Sequence, residues 1–362
     1  MARQEVDSKS TLLAEGPALL KLLDGEAFSL GAPLEPGVWA VLPEDRRLPI
    51  ETPNHCSLEI RLGAGGKYWK VNGSTIPTGW REASQIATQA PGVIVVLGDV
   101  DSGKSTLCTF LANECFRHGS RVSVIDGDVG QADLGPPTTI SESLLREHVF
   151  SLQSLKPDVS LFMGDTSPSS VPEKVSAGLV RLRDLAKQQS EIILIDTDGW
   201  VQGEEAFRYK SQLLDELRPD LLFGISPQGE IDSLLEYQKS TVLKLDRSPH
   251  ARTRSREERK KARESGYKRF LQNATPREMH LREVKLRRFN SYHQLKISEG
   301  ENLRGLIAGL LDEDDRLLAI SRIENLRNGI ITAKTALKYS PRTIELGAVV
   351  LSSKYEELGY DV

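Results

Sequence analysis

The residues best suited to chemistry form a glycine-rich segment at 98–106, hereafter the phosphate loop. It reads Gly-Asp-Val-Asp-Ser-Gly-Lys-Ser-Thr and fits the pattern G-x-x-x-x-G-K-[ST]. In such a loop the backbone N–H groups surround a phosphate chain, the lysine contacts the β- and γ-phosphates, and the next hydroxyl binds Mg²⁺. We therefore predict a site for ATP or GTP with Mg²⁺, formed by Gly98, Asp101, Ser102, Gly103, Lys104, Ser105 and Thr106.

The sequence on either side of the loop supports this interpretation. An apolar run at 93–97 predicts a buried strand before it, and a helical stretch at 104–118, ending at Gly119, follows it. The helix would then direct the positive end of its dipole at the phosphates. A chance glycine-rich turn is the alternative, and it would need neither the strand nor the helix.

Two pairs of carboxylates could serve the bound metal ion, which needs a carboxylate at the end of a neighbouring strand. Asp126 and Asp128 follow a run at 121–125, and Asp196 and Asp198 follow a run at 192–195. Spacing alone does not choose between them. We favour the first pair, because it lies directly after the helix that leaves the phosphate loop. Asp126 would then serve Mg²⁺, Asp128 would accept the proton of an attacking hydroxyl, and Gln131 would orient the nucleophile or a metal-bound water.

Composition excludes several classes of protein. The chain has 362 residues, 39% hydrophobic and 27% charged, with a net charge of −4, which excludes wholesale disorder and a globally basic surface for nucleic acid. The three cysteines lack metal-ligand spacing and are typical of a reducing compartment. We see no run of about 18 apolar residues and no signal-peptide core. We therefore expect a cytoplasmic protein with no membrane partner.

The order of the segments predicts an α/β fold in three parts. Residues 1–90 are rich in glycine, proline and short alternating runs, which favours a small β-rich domain. Residues 91–277 alternate strand-like and helical runs, typical of a parallel sheet covered by helices. Residues 278–362 predict a second small β-rich domain. The expected architecture is a central P-loop kinase domain between two β-rich domains.

The chain resembles the polyribonucleotide 5′-hydroxyl kinase family, which includes the RNA kinase of the pre-mRNA cleavage factor, the nucleolar pre-rRNA kinase and archaeal polynucleotide kinases. The resemblance covers about 91–275 and rests on the phosphate loop, on Asp126-Gly-Asp-Val-Gly-Gln131, and on three shorter motifs. Gly164-Asp-Thr-Ser-Pro168, hereafter the clasp, looks like the family's grip on the acceptor strand. Asp198-Gly-Trp200 looks like its base-stacking turn, and Arg254-Ser-Arg-Glu-Glu-Arg259 looks like its lid. The resemblance thus implies that Thr166 and Trp200 bind the acceptor.

The lid motif lies in a basic block at 250–270. Residues 250–269 carry nine basic and three acidic side chains. Such a block is typical of a solvated, charged helix or of a signal for nuclear localisation or nucleic-acid binding. The resemblance implies a third interpretation, in which Arg254 and Arg259 neutralise charge on the transferring phosphoryl group, with Arg263 near them. Five residues apart is not one helix face, so the two arginines would reach different oxygens, or the segment is not a regular helix there.

The resemblance implies an ATP-dependent kinase that phosphorylates the 5′-hydroxyl of a single-stranded polynucleotide end, RNA before DNA. Lys104, Asp128, Arg254 and Arg259 would be catalytic. RNA-processing proteins are the expected protein partners. Two other classes stay open at this point: a regulatory NTP-hydrolysing switch that uses Asp196 and Asp198 as its nucleotide sensor, and a non-catalytic ATP-binding scaffold of an RNA-processing complex.

Overall fold

A seven-stranded sheet forms the centre of the molecule in the computed structural model, which describes residues 2–44, 46–236, 240–291, 293 and 302–360. Five strands, in the order β11-β14-β10-β15-β16, are parallel, and β12 and β13 extend the β11 edge antiparallel. The helices and strands of this central layer are α1 (Thr78–Gln89), β10 (Gly92–Gly98), α2 (Lys104–Arg117), β11 (Val122–Asp126), β12 (Thr139–Leu144), β13 (Val159–Phe162), α3 (Pro172–Ala186), β14 (Ile192–Asp196), α4 (Glu204–Leu217), β15 (Leu221–Ile225), α5 (Asp232–Glu236), β16 (Thr241–Leu245) and α6 (Arg256–Leu271).

Helices cover both faces of this sheet, and the alternation of β10 shows why. Its even-numbered residues Ile94 and Val96 pack in one core with α1 and α2. Its odd-numbered residues Val93, Val95 and Leu97 pack in a second core with α3 and α4. Strands buried on both faces read as continuous apolar runs, which is why 93–97 could be predicted from sequence.

Two antiparallel sheets precede the central layer and pack face to face. One has the order β1-β8-β3-β6 and the other β5-β4-β7-β2-β9. Leu20 and Leu58 of the first sheet and Leu12 and Ile50 of the second share one buried core. The strands are β1 (Ala2–Val6), β2 (Ser10–Glu15), β3 (Ala18–Asp24), β4 (Phe28–Ser29), β5 (Ala32–Pro33), β6 (Trp39–Leu42), β7 (Arg47–Thr52), β8 (Cys56–Leu62) and β9 (Lys67–Asn72).

A further sheet follows the central layer, in the order β17-β21-β20-β19-β22-β18, with β23 paired to the end of β22. It is antiparallel except for the parallel pair β18 and β22. The strands are β17 (Thr275–His280), β18 (Lys285–Arg288), β19 (Leu306–Leu311), β20 (Leu317–Arg327), β21 (Ile330–Thr335), β22 (Thr343–Leu351) and β23 (Glu357–Tyr360).

The predicted α/β class with a central parallel sheet and two β-rich flanks is confirmed. Helix α1 lies before the predicted boundary at 90 but packs on the central sheet, and β17 begins at Thr275, before the boundary at 277. The antiparallel strands β12 and β13 were not predicted, because β12 is rich in serine and threonine. Among the described residues, no helix is long and apolar enough to cross a membrane.

Candidate functional site

The phosphate loop joins β10 to α2 in a tight turn that two glycines permit. Gly103 stands just before the helix with φ +107°, in the left-handed region that favours glycine. Gly98 has no room for a side chain, since a Cβ there would lie 2.6 Å from Ser102 Oγ and 2.9 Å from the Ile225 carbonyl oxygen. No side chain caps the N-terminus of α2. The first N–H groups of this helix therefore point into the loop and suit an anion.

Two polar side chains of the loop, those of Ser102 and Lys104, are buried. Lys104 is 6% exposed, and its Nζ donates to the Asp99 carbonyl at 3.0 Å. The hydroxyl of Ser102 is buried without a hydrogen-bond partner among the described residues. Lysine, a free hydroxyl and free N–H groups facing one turn are the donor set that a phosphate chain requires.

A cleft opens beside the loop toward the N-terminal sheets. Lys104, Ser105, Asp128 and Gln131 line its central side. Leu13, Pro49, Ile76 and Trp80 give the cleft an apolar wall, and Arg46 and Arg47 line it as well. Trp80 is buried there, with its indole N–H donating to the Asp246 carbonyl at 2.9 Å. An apolar wall next to a phosphate site suits a nucleobase. Sequence reasoning missed this wall, because it belongs to other parts of the chain.

The strand beside the phosphate loop on this side of the sheet is β14, which lies between β10 and β11. Asp196, at the end of β14, is therefore nearer in sheet order than Asp126, although sequence order favoured Asp126. Burial raises the pKa of the Asp196 carboxyl to about 7, while Lys104 and the Ser105 side chain pull the other way. Its Oδ1 is buried with no hydrogen-bond partner among the described residues. Asp196 is thus a candidate metal ligand that the sequence-based choice passed over.

Asp126 lies at the end of β11 and organises the loop that follows. Its Oδ1 accepts the Asp128 N–H at 3.1 Å, and its Oδ2 accepts the N–H groups of Asp133 and Leu134 at 2.7 and 2.9 Å. Burial and the neighbouring charges of Asp196 and Asp133 raise its pKa well above the usual range. These contacts give Asp126 a role in shaping the loop, and its role toward Mg²⁺ stays a prediction.

Asp128 lines the nucleotide cleft in the same loop. Its Oδ1 accepts the N–H groups of Gly130 and Gln131 at 3.0 and 2.8 Å. Burial raises the pKa of Asp128, Lys104 lowers it and Asp198 raises it further. Gln131 donates its side-chain amide to the Gly130 carbonyl at 2.7 Å, and its Oε1 is buried without a partner among the described residues. A carboxylate held rigidly beside Lys104 and the phosphate loop can act as a general base.

Arg254 and Arg259 both reach the phosphate loop through Asp101. Arg254 donates Nε to Asp101 Oδ1 at 2.8 Å, and Arg259 donates Nη1 to Oδ2 at 3.3 Å. Arg254 precedes the helix, since Ser255 caps α6 through a reciprocal pair of bonds with Glu258. The segment is therefore not a regular helix at Arg254, as one of the two sequence-based alternatives holds, and contact of the two arginines with different phosphate oxygens stays a prediction. Arg263 instead pairs with Glu357 of β23.

Trp200 and Thr166 lie outside the lining of the nucleotide cleft, on the turn after β14 and on the clasp, and their role toward the acceptor stays a prediction. Trp200 is half-buried and stacks on Tyr209, with ring centroids 5.4 Å apart, beside a groove between α3 and α4. Asp198, two residues earlier, forms a buried ion pair with Lys210 at 2.8 Å, which fixes this turn. The Thr166 hydroxyl bonds to the Tyr360 hydroxyl at 2.9 Å. A Cβ on Gly130 would lie 2.6 Å from the Thr166 carbonyl oxygen, so the clasp touches the Asp128 loop.

A phosphate loop on a parallel sheet, with carboxylates at the adjoining strand ends and arginines over the loop, defines a P-loop nucleotide-binding protein. Residues 98–273 match the model of the P-loop domain of the mRNA cleavage and polyadenylation factor CLP1. Through these residues, just under half of the chain, the protein is similar to the CLP1 P-loop family.

Two archaeal relatives are named polyribonucleotide 5′-hydroxyl-kinase. The Pyrococcus horikoshii protein is 34% identical over 211 residues, 58% of each chain. The Methanocaldococcus jannaschii protein is 36% identical over 189 residues, 52% of each chain. The chain thus spans little more than half the length of these relatives. A solved structure of the wild-type Clp1p–Pcf11p complex matches with a TM-score of 0.77 at 11% identity, over 96% of this chain and 97% of that one, which shows the shared fold.

The raised pKa of Asp196 predicts a pH-dependent stability. Between the ordinary value of 3.8 and about 7, the folded carboxyl keeps a proton that the unfolded one releases. Unfolding then releases a proton, so stability falls as the pH rises through this window, by at most about 1.4 kcal/mol per pH unit. Asp196→Asn should flatten the pH dependence of the free energy of unfolding, measured by urea titration at pH 5, 6 and 7. The exposed Asp215→Asn is the control, and an unchanged slope in Asp196→Asn would contradict the prediction.

Proposed function

We propose that this protein transfers the γ-phosphoryl group of ATP to the 5′-hydroxyl of a single-stranded polynucleotide, with RNA preferred over DNA. The observation that carries the proposal is the convergence of Lys104, Asp128 and the Arg254–Asp101 pair on one cleft at the phosphate loop. A donor site alone would suit hydrolysis as well. A half-buried carboxylate beside the lysine adds what transfer to a hydroxyl needs, which is a base at the acceptor side.

The donor half of the proposal uses the phosphate loop and the cleft wall. The first N–H groups of α2 and the Lys104 ammonium hold the phosphate chain. The apolar wall around Trp80 takes the base of ATP, and GTP is the alternative donor. Arg254 and Arg259 are held beside the loop by Asp101, where they can meet charge that develops on the transferring group.

The acceptor half uses the loop after β11 and the two segments that adjoin it. Asp128 accepts the proton of the 5′-hydroxyl, and its hydrogen bonds to Gly130 and Gln131 leave its orientation fixed. Thr166 lies against Gly130 and would grip the acceptor backbone. Trp200, supported by Tyr209, would stack the first base.

The residues around Ser105 fit a Mg²⁺ ion. The Ser105 hydroxyl and the unpartnered, buried Oδ1 of Asp196 are hard oxygen donors beside the loop, and Asp126 is the further candidate. Among the described residues, no group of three or more His, Cys, Asp or Glu could hold a metal ion, so nucleotide phosphates would complete its coordination. When bound, Mg²⁺ would neutralise charge on the phosphates.

Partners and compartment complete the proposal. The relatives named above include RNA 5′-hydroxyl kinases and a Clp1p bound to Pcf11p. We infer that this chain acts on RNA ends together with RNA-processing proteins in the cytoplasm. A regulatory NTPase switch predicts hydrolysis that is indifferent to 5′-hydroxyl ends, and a scaffold predicts ATP retention without turnover.

The central test is transfer of label from γ-labelled ATP to 5′-hydroxyl oligonucleotides. We expect label on RNA more than on DNA, and none on 5′-phosphorylated acceptors. Lys104→Ala should lower transfer by at least ~100-fold, because the phosphates lose their side-chain cation. Its melting temperature should stay close to that of the wild-type protein. Near-normal transfer by folded Lys104→Ala would contradict the assignment of the phosphate loop.

Asp128→Asn tests the base. Asparagine keeps an oxygen for the Gly130 and Gln131 N–H groups, so the loop should survive while kcat falls by ~10²–10⁴. Asp196→Asn should mainly raise the Mg²⁺ concentration needed for half-maximal rate and should have the milder effect on kcat. If Asp196→Asn were inactive and Asp128→Asn active, the general base would be Asp196 at the end of β14. Both are measured by steady-state kinetics at several Mg²⁺ concentrations.

Arg254→Ala and Arg259→Ala should each lower kcat and kcat/KM together, since they act on charge in the transition state; lid-type arginines are worth up to ~10³–10⁵ in rate. Substitution by lysine should restore little, because lysine lacks the planar fork. Lys260→Ala is the matched control, a 47% exposed cation one residue beyond Arg259. Equal effects at all three positions, confined to KM for RNA, would show that the basic block only attracts nucleic acid.

A further inference from the structure

Strand β23, at the far end of the chain, contacts two parts of the acceptor site at once. Its Glu357 accepts both Nε and Nη2 of Arg263 on α6, at 2.7 and 2.8 Å. Its Tyr360 bonds through the hydroxyl to Thr166 of the clasp at 2.9 Å. The Glu357 N–H also donates to Glu264 of α6 at 3.0 Å. The short strand β23 thus contacts both helix α6 and the clasp.

The clasp is built on the C-terminal sheet as well as on the central one. The Ala348 N–H of β22 donates to the Gly164 carbonyl at 2.8 Å. Gly347 cannot carry a side chain, because a Cβ there would lie 2.6 Å from the same carbonyl oxygen. On its other side the clasp meets Gly130, two residues after Asp128. A continuous series of contacts therefore runs from the candidate base through Thr166 to Tyr360.

The ring of Tyr360 lies at the protein surface and not in a hydrophobic core. Tyr360 is 49% exposed although its hydroxyl is bound, and β23 is held down by the buried Glu357, which is 5% exposed in its ion pair with Arg263. Among the described residues, no aromatic ring or cation lies over the Tyr360 ring. A rigid aromatic ring with a free face is the platform on which single-stranded nucleic acid stacks its bases.

We propose that Tyr360 is an acceptor-binding residue, whose ring takes a nucleoside of the single-stranded acceptor near its 5′ end while its hydroxyl positions Thr166. This inference rests on the proposed function and extends the acceptor site to the C-terminal sheet. The acceptor then meets three elements: the loop after β11, the clasp and β23. Trp200 lies on a fourth element, so the acceptor polynucleotide has two separate aromatic rings on which its bases can stack.

The test uses the full chain with a fluorescent 5′-hydroxyl RNA oligonucleotide, both in anisotropy binding and in the transfer assay. Tyr360→Ala should raise the Kd and the KM for the oligonucleotide between about fivefold and 150-fold, the range that corresponds to one lost base–aromatic stack. The KM for ATP and kcat should change by less than about twofold, because the donor site and the base are untouched. An unchanged Kd and KM for RNA in Tyr360→Ala would overturn the proposal.

Tyr360→Phe separates the ring from the hydroxyl. It keeps the platform and loses one neutral hydrogen bond, so the KM for RNA should rise only about two- to tenfold. In a Thr166→Val background the same change should have no further effect, because the partner hydroxyl is already gone. Fully additive effects of the two substitutions would overturn the positioning role.

Tyr339→Ala is the matched control. Tyr339 is also an exposed tyrosine, at 63%, and it lies in the loop between β21 and β22. That loop leads into the start of β22 at Thr343, whereas Tyr360 pairs with Val349, six residues further along β22, or about 20 Å at the rise of a strand. Equal losses in Tyr339→Ala would overturn the proposal. If the wild-type chain transfers no phosphoryl group, the proposed function fails, and anisotropy still decides this inference by whether RNA binding depends on Tyr360.

Discussion

The structure depends on keeping several aspartates close together at one edge of the central sheet. Parallel strands β11, β14 and β10 end side by side, so the buried Asp126, Asp196 and Asp198 and the half-buried Asp128 lie near the phosphate loop. Like charges out of water repel strongly, and burial raises the pKa of Asp126, Asp128 and Asp196. Different partners stabilise these carboxylates. Backbone N–H groups donate to Asp126 and Asp128, Lys210 pairs with Asp198, and Lys104 and Ser105 stabilise the charged form of Asp196.

This division of partners also divides the functions that each aspartate can serve. The Asp198–Lys210 pair is fully enclosed, with side chains 2% and 0% exposed, and its removal would leave an isolated buried charge. Asp198 is therefore a structural support for the Trp200 turn. Asp196 keeps an unpartnered oxygen, and Asp128 faces the cleft, so these two carboxylates remain available for a cation or a proton.

Sequence alone could predict much of the central domain because its signals are local. The phosphate loop has a fixed pattern, and the helical stretch predicted at 104–118 forms helix α2 at Lys104–Arg117. The sequence could not rank Asp126 against Asp196, because the order of strands in the sheet departs from their order in the chain. Arg46, which pairs with Asp133, and Tyr360, which meets Thr166, lie 87 and 194 residues from their partners. Contacts at such separations leave no periodic signal.

The attachment of helix α6 at three places limits how the nucleotide cleft can open. Its first turn follows Arg254, which pairs with Asp101 of the phosphate loop. Its middle is held by the ion pair between Arg263 and Glu357. Its end is joined to β17 by a short connection. The reciprocal Ser255–Glu258 cap stabilises the first turn as part of the helix. A swing of the whole helix would break a buried, two-bond ion pair. Opening of the cleft is therefore confined to local motion of the irregular chain at 247–254, and such motion would have to break the contacts of Arg254 and Arg259 with Asp101 rather than move a domain.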